Sequence, residues 1–299
     1  MGPDVRVDTS PSDTSAGSDT SASSSSTSPS STNASSTSPT STSPSSASPS
    51  SPSSHGEVTI TILGSSGSYP GPGSACSGYL LRHQGFNLWL DAGPGTMANL
   101  QTHIRLADVD AVVLSHEHPD HWSDLDGFYI ACRYIETRTH VPIYAPAGLC
   151  DMMRSEIDDQ SPFDWHEITD KSKVAVGPFQ FTFARTDHPP ETLAARIEPA
   201  GTPRVLGYTA DTGPGWTVEE LGLGLDLVLS EATFLHDREG TSPHMSARQA
   251  GTAARAAQAK RLLITHIWPI VDPEQSVAEA REAFGGPVEY ARMNATYQL

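Results

Sequence analysis

Cysteine is scarce: Cys76, Cys132 and Cys150 are the only three in 299 residues, with no Cys-x-x-Cys pair. That spacing excludes a disulfide framework, and a reducing, cytoplasmic home is the simple reading. No run of about 18 apolar residues occurs, so no membrane-spanning helix is expected. The N-terminus lacks a basic stretch followed by an apolar one, so a secretory signal peptide is not expected either. Positive charge is also thin, with 18 Lys and Arg against 35 Asp and Glu and a net charge of −17. Residues 1–56 hold Asp4, Asp8, Asp13, Asp19 and Arg6, a charge of −3, which leaves −14 on the rest. Such a domain is a poor general binder of nucleic acid, whose phosphates need Lys and Arg to displace counterions. A local basic patch is the exception left open.

The first part of the chain lacks core-forming residues altogether. Residues 9–54 contain 24 Ser, 8 Thr and 6 Pro among 46, and no Val, Ile, Leu, Met or aromatic residue. That composition cannot bury enough apolar surface to offset its ordering entropy. Residues 1–56 therefore read as a disordered Ser/Thr/Pro-rich tail, a tether or phosphorylation target with no catalytic part. Residues 57–299 remain, enough for one sizeable α/β core.

That core alternates short apolar runs with helical patterns. Residues 58–63 alternate with period two and read as a strand. Residues 79–82 and 87–91 read as a strand pair around a turn at Gly85. Asp110-Ala-Val-Val-Leu114 is nearly all apolar and reads as a buried strand. Further strands are expected at 141–144, 179–183, 193–197, 205–208, 225–229 and 262–264. Helices are expected near 96–105, 125–134, 148–157, 247–259 and 275–284. Interleaved strands and helices indicate a layered α/β fold.

The chemistry concentrates directly after the buried strand, in Ser115-His116-Glu117-His118-Pro119-Asp120-His121. Three imidazoles and a carboxylate fall within six residues. Neutral His nitrogens and a hard Asp oxygen suit Zn²⁺ and related divalent metals. The bland alternative is a solvated loop of paired His and Asp. Three more ligand-type residues follow expected strand ends: His188, Asp211 and His266. Alone, either histidine reads as a surface residue, and Asp211 as the cap of the turn at Thr212-Gly213. Beside the first cluster they read as its partners, because open α/β sheets place ligands at the carboxyl ends of strands.

His116-x-His118-x-Asp120-His121, then His188, Asp211 and His266 in that order, resemble the ligand set of the metallo-β-lactamase-fold hydrolases. Leu90-Asp91-Ala92-Gly93-Pro94-Gly95 resembles that family's acidic turn before the first helix. The resemblance spans 57–299 and implies a four-layer αββα sandwich with a dinuclear site at one edge. It implies His116, His118 and His188 on one metal, Asp120, His121 and His266 on the other, and Asp211 bridging. Two Zn²⁺ per chain are implied, with Mn²⁺ or another divalent ion as the alternative.

Ser230-Glu231-Ala232-Thr233-Phe234 and Pro243-His244-Met245-Ser246 resemble two motifs of the ribonuclease Z-like phosphodiesterase branch. There a glutamate orients a histidine that acts as general acid; Glu231 and His244 match those positions. The plain readings are a strand-end carboxylate paired with an Arg, and a residue preceding a helix. Two departures count against a transfer-RNA 3′-end nuclease. The loop at 64–75 has no basic residue, and only 23 positions separate His188 from Asp211, a span already used by a strand pair. The short chain looks more like an actinobacterial cyclic-nucleotide phosphodiesterase subgroup. The resemblance thus implies a small-molecule phosphodiester substrate. Attack would come from a metal-bridging hydroxide fixed by Asp120 and Asp211, with His244 protonating the leaving oxygen. An RNA endonuclease is the alternative, followed by a hydrolase of another ester, lactone or thioester, and by a non-catalytic metal-binding module. Relatives of this branch are often dimers, so a homodimer is an expectation by resemblance alone. The Gly/Ser-rich loop 64–78 reads as a flexible rim of the site, with an anion nest as the alternative.

Overall fold

The computed structural model describes residues 57–154 and 161–299; the tail expected over 1–56 lies outside them. The period-two run near the start forms β1 (Thr59–Gly64), followed by β2 (Gly78–His83) and β3 (Phe86–Ala92). Between β2 and β3 the turn residues Gln84 and Gly85 both have positive φ, 51° and 81°. That geometry matches the twist of a two-residue hairpin. The first sheet continues with β4 (Ala111–Val113), β5 (Val141–Pro146) and β6 (Phe163–Ile168). The second contains β7 (Lys173–Val176), β8 (Phe179–Arg185), β9 (Leu193–Pro199), β10 (Leu206–Tyr208), β11 (Leu227–Glu231), β12 (Leu262–Thr265) and β13 (Val288–Tyr290). The chain closes on β14 (Thr296–Gln298), which returns to pair with β1. The two sheets run in the orders β14-β1-β2-β3-β4-β5-β6 and β13-β12-β11-β10-β9-β8-β7.

Three buried cores stack these sheets into four layers. Between the sheets, Ile60, Ile62, Tyr79, Leu81 and Leu90 meet Phe179, Phe181, Phe183, Ile197, Leu229 and Leu263. On the outer face of the first sheet, Leu80, Trp89, Val112 and Ile143 pack with Leu100, Leu125, Phe128 and Leu149. Those last four lie on α1 (Thr96–Leu100), α2 (Asp124–Ile130) and α3 (Ala147–Arg154). On the other outer face, Val228, Leu262 and Ile264 pack with Ala250, Ala254, Val277 and Phe284 of α4 (Ala247–Ala256) and α5 (Pro273–Phe284). Helices on both sides are why the central strands read as apolar runs, and why the fold is the expected αββα sandwich. Ser246 and Gln249 start α4 with a reciprocal capping box.

Strand direction fixes where the chemistry can gather. β10, β11 and β12 are mutually parallel. β8 is antiparallel to β9, and β9 to β10, so β8 runs with them. β3, β4 and β5 are parallel in the other sheet. The carboxyl ends of these strands therefore share an edge within each sheet.

Four strands were not expected, and all four have a physical reason. β6 carries Asp164, His166 and Glu167, and β7 starts at Lys173; both are at the far edge of their sheets. Edge strands bear charge because it blocks pairing with other chains. β13 and β14 have three residues each, too few for a periodic pattern. The helix expected over 96–105 ends at Leu100, and that over 125–134 becomes a π turn at Ala131–Ile135. The helix expected over 148–157 runs to Arg154, and residues 155–157 lie outside the described ones. Among the described residues no helix is long and apolar enough to cross a membrane. All three cysteines are buried thiols.

We place the domain boundary at residue 57. Deleting residues 1–56 is expected to leave the melting transition and the activity within error. Every described element and each of the seven proposed ligands lies downstream of the cut. Loss of folded, active protein, read by calorimetry and assay, would move the boundary.

Candidate metal centre

The seven ligand-type residues meet in one place. The chain leaves β4 at Val113, and His116, His118, Asp120 and His121 follow, the last two in a single tight turn at Pro119–His121. His188 follows β8, Asp211 follows β10 and His266 is the residue after β12. One donor atom from each of His116, His118, His188 and Asp211 lies within 4.8 Å of the others. The same holds for Asp120, His121, Asp211 and His266. Asp211 belongs to both groups. The backbone bends sharply to achieve this: Asp91, Ala210 and His266 have φ of 54°, 50° and 53°, the left-handed region. Non-glycine residues held there cost energy, and they cluster at functional sites.

Hydrogen bonds behind the histidines decide which nitrogen faces the cluster. Asp91 is buried and accepts from the Ser115 N–H at 2.8 Å, the Ser115 hydroxyl at 2.8 Å and the Tyr208 hydroxyl at 2.6 Å. His121 Nδ1 lies 2.8 Å from the same carboxylate and donates to it, so its Nε2 turns inward. The single Ser115 proton goes to Asp91, so the Ser115 oxygen accepts from His116 Nδ1 at 3.0 Å. His188 Nδ1 donates to the Pro243 carbonyl at 3.0 Å. Three imidazoles thereby turn Nε2 to the interior, the orientation a metal needs.

Several inward atoms have no partner among the described residues. His116 Nε2, His121 Nε2 and Asp211 Oδ1 are buried without a hydrogen bond. Buried polar atoms are otherwise almost always satisfied, so a group converging on one point indicates a missing ligand. The separations fit a cation. His118 Nδ1 and His188 Nε2 are 3.1 Å apart. His121 Nε2 is 3.3 Å from Asp211 Oδ1, and His116 Nε2 is 3.6 Å from Asp211 Oδ2. Ligands about 2.0–2.1 Å from a tetrahedral zinc stand about 3.3 Å from each other. The residues present fit two divalent ions.

Charge is arranged to match. Burial, with charge on His121, pushes His116 well below its ordinary pKa, which keeps it neutral. Burial also lowers His118, helped by His188. Burial alone would raise the Asp211 carboxyl, but His121 and His266 hold it well below the usual range. His121 is raised well above its ordinary value, since Asp211 and Asp120 outweigh its burial. Metal binding beside His121 would release that proton.

Glu231 and His244 sit beside this cluster. His244 Nδ1 is 3.1 Å from Glu231 Oε1 and 4.0 Å from Asp211 Oδ2. Its ring lies 4.9 Å from that of His188 and 5.3 Å from that of His266. Burial opposes the charged ring, yet Glu231 raises its pKa to about 9. Glu231 is buried and pairs with no Arg among the described residues, so the plain reading of a strand-end ion pair does not hold.

The loop 64–78 is pinned to the site, contrary to the flexible rim expected. Gly67 N–H donates to the Ile267 carbonyl at 3.0 Å and Ile267 N–H to Ser65 at 3.0 Å. A Cβ at Gly67 would stand 2.4 Å from the His266 carbonyl oxygen, so only glycine permits this approach. The next residue, Ser68, directs its N–H at Asp120 Oδ2, 2.9 Å away. Sequence reading passed over Ser68, Ser115 and Thr233, whose single hydroxyls and amides carry no motif of their own. Asp91 stood out only through the resemblance of its turn. Gly93 was the available signal there, because a Cβ would lie 2.0 Å from the Asp120 carbonyl oxygen.

Asp91 supports the site without touching its interior. Asp91→Asn is expected to weaken metal binding about 10–100-fold, the usual cost of losing a partner behind a ligand. Titration against a chelator reads this. Unchanged affinity would show that His121 needs no such support.

The sequence profile described as "Beta-lactamase superfamily domain" matches residues 87–267. The uncharacterized Mycobacterium tuberculosis protein Rv1339 is 36% identical over 255 residues, covering 81% of this chain and 92% of its own. The Bacillus subtilis protein named "Probable metallo-hydrolase YhfI" is 30% identical over 246 residues, covering 81% of this chain and 100% of its own. Its crystal structure superposes with a TM-score of 0.75 at 27% identity, over 81% of this chain and 99% of that one. A ribonuclease Z of Haloarcula marismortui is 26% identical, covering 78% of this chain and 94% of its own.

Proposed function

The chain belongs to the beta-lactamase superfamily and is a metallo-hydrolase of the metallo-β-lactamase fold, and from that membership we propose that it hydrolyses a small phosphodiester, a 3′,5′-cyclic nucleotide. The observation that carries this reading is the Glu231–His244 pair: buried Glu231 holds half-buried His244 beside the two donor groups that share Asp211, and both lie outside the seven ligand-type residues. In this reading His116, His118 and His188 hold one ion, Asp120, His121 and His266 the other, and Asp211 touches both. When bound, two divalent cations, Zn²⁺ first for this donor set, would neutralise phosphoryl charge and acidify water.

The chain's own residues supply the rest. Asp120 and Asp211 are acceptor-only carboxylates at the centre, able to orient a water for attack on phosphorus. Glu231 engages His244 at Nδ1, which leaves Nε2 for the leaving oxygen. Glu231 favours the charged, proton-bearing ring against the cost of its burial. A ribose oxygen leaves as an alkoxide and needs that proton in the transition state; such help is worth about 10²–10⁴-fold. The product is a nucleoside monophosphate.

Small substrates are favoured over RNA by what surrounds the site. The pinned loop at 64–78 bears no Lys or Arg, and the domain carries a charge of −14. β9 and β10 fill the span between His188 and Asp211, which leaves no room there for an inserted RNA-gripping arm. The likeness to a ribonuclease Z supports the second reading, an RNA endonuclease.

Purified protein is assayed on cyclic AMP, cyclic GMP, bis(p-nitrophenyl) phosphate and a precursor transfer RNA. Turnover of a cyclic nucleotide to its monophosphate is expected. Cleavage of the transfer RNA without it would transfer the assignment to RNA processing. Inactivity on all four with two metals bound would point to a lactone or thioester.

A further inference from the structure

Four donors surround the Glu231 carboxylate. Oε1 accepts from the Thr212 N–H at 2.6 Å and from His244 Nδ1 at 3.1 Å. Oε2 accepts from the Met245 N–H at 3.2 Å and from the Thr233 hydroxyl at 2.7 Å. A carboxylate offers about four acceptor positions, and all are taken, so Glu231 has no proton to give. The one proton on Thr233 is therefore committed to Glu231. Thr233 Oγ1 also lies 2.8 Å from His266 Nδ1, and with its own proton spent it can only accept there. His266 must carry its proton on Nδ1. Its Nε2 is the atom that faces Asp120 Oδ2 at 3.2 Å and Asp211 Oδ2 at 3.3 Å, and so the one placed to meet a metal.

We propose that Thr233 is a positioning residue of the metal centre, a hydroxyl relay through which Glu231 fixes the ligand-competent tautomer of His266. One buried carboxylate then aligns three parts: the His244 ring directly, the turn after Asp211 through Thr212, and His266 through Thr233. His266 has no other partner for Nδ1 among the described residues, whereas Asp91 serves His121 and Pro243 serves His188. The inference rests on the metal-centre reading above and adds a residue to which no role has been given. It needs no particular substrate.

The test uses the full chain, with Zn²⁺ and Co²⁺ as probes. Thr233→Val keeps the shape and removes both hydrogen bonds. It is expected to weaken one of the two metal ions about 10–100-fold in chelator competition, with the other little changed. Thr233→Ser restores the hydroxyl and is expected to restore wild-type affinity. Thr233→Ala is the second variant should Val not fold, with the same loss expected. In the zinc-loaded wild type, nitrogen–proton correlation of the imidazoles should show His266 protonated at Nδ1. Wild-type affinity for both ions in folded Thr233→Val or Thr233→Ala overturns the proposal, as does a His266 ring protonated at Nε2. A wild-type chain that binds no metal would instead overturn the metal-centre reading itself.

Discussion

Asp211→Ala is expected to empty both metal positions together and to lower phosphodiester turnover by about 10³-fold or more. Losing a partner one step behind a ligand costs about 10–100-fold in affinity or activity. Asp211 stands inside the cluster rather than behind it. Its Oδ2 is 3.6 Å from His116 Nε2 and 3.3 Å from His266 Nε2, one from each donor group, and its Oδ1 is 3.3 Å from His121 Nε2. Alanine would also leave the His116, His121 and His266 nitrogens without the carboxylate that, among the described residues, reaches all three. Metal analysis after dialysis reads the stoichiometry, and the same sample is assayed. Loss of one ion with the other retained would assign Asp211 to a single position. Two ions and full rate would remove it from the centre altogether. Thermal melting in excess chelator separates this from misfolding, because metal-free wild type and variant should then melt alike to within the effect of one buried carboxylate.

The edge-on layout of this site explains which parts a sequence reader can see. His116, His118, Asp120 and His121 are contiguous, so their pattern survives without the fold. His188, Asp211 and His266 are each at a strand end, and strand ends are legible where apolar runs stop. The groups that orient them are not. Ser115, Thr233 and the Pro243 carbonyl act through single hydrogen bonds that form only once the strand ends come together. Asp91 lies 24 positions before Ser115 and 117 before Tyr208, both of which it engages. Nothing in local spacing links such residues. The layers were legible because β2, β3, β4 and β11 are buried on two faces, and continuous apolar runs have few other homes. The charged edge strands β6 and β7 lack that signature for the same reason they sit at the edge. The loop at 64–78 shows the opposite failure. Gly and Ser suggest freedom, but at Gly67 the missing side chain permits contact with the His266 backbone.

His244→Ala is expected to damage chemistry while leaving metal content unchanged. The ring bonds Glu231 at 3.1 Å and is 4.0 Å from the nearest Asp211 oxygen, and it belongs to neither four-residue donor group that contains Asp211. On a cyclic nucleotide the variant should lose about two to three orders of magnitude, the range of general-acid assistance to a poor leaving group. On bis(p-nitrophenyl) phosphate it should lose far less, because p-nitrophenolate departs without a proton. Glu231→Gln should show a milder form of that substrate dependence together with weaker metal binding, because the amide also disturbs the Thr233–His266 link. The amide keeps the ring near its place but removes the negative charge that, against burial, holds His244 in its protonated state. The pair of substrates decides between roles that a single assay cannot separate. Equal losses on both diesters would make His244 a positioning residue, and lost metal would make it a ligand. A loss confined to the alkoxide leaving group identifies the proton it delivers.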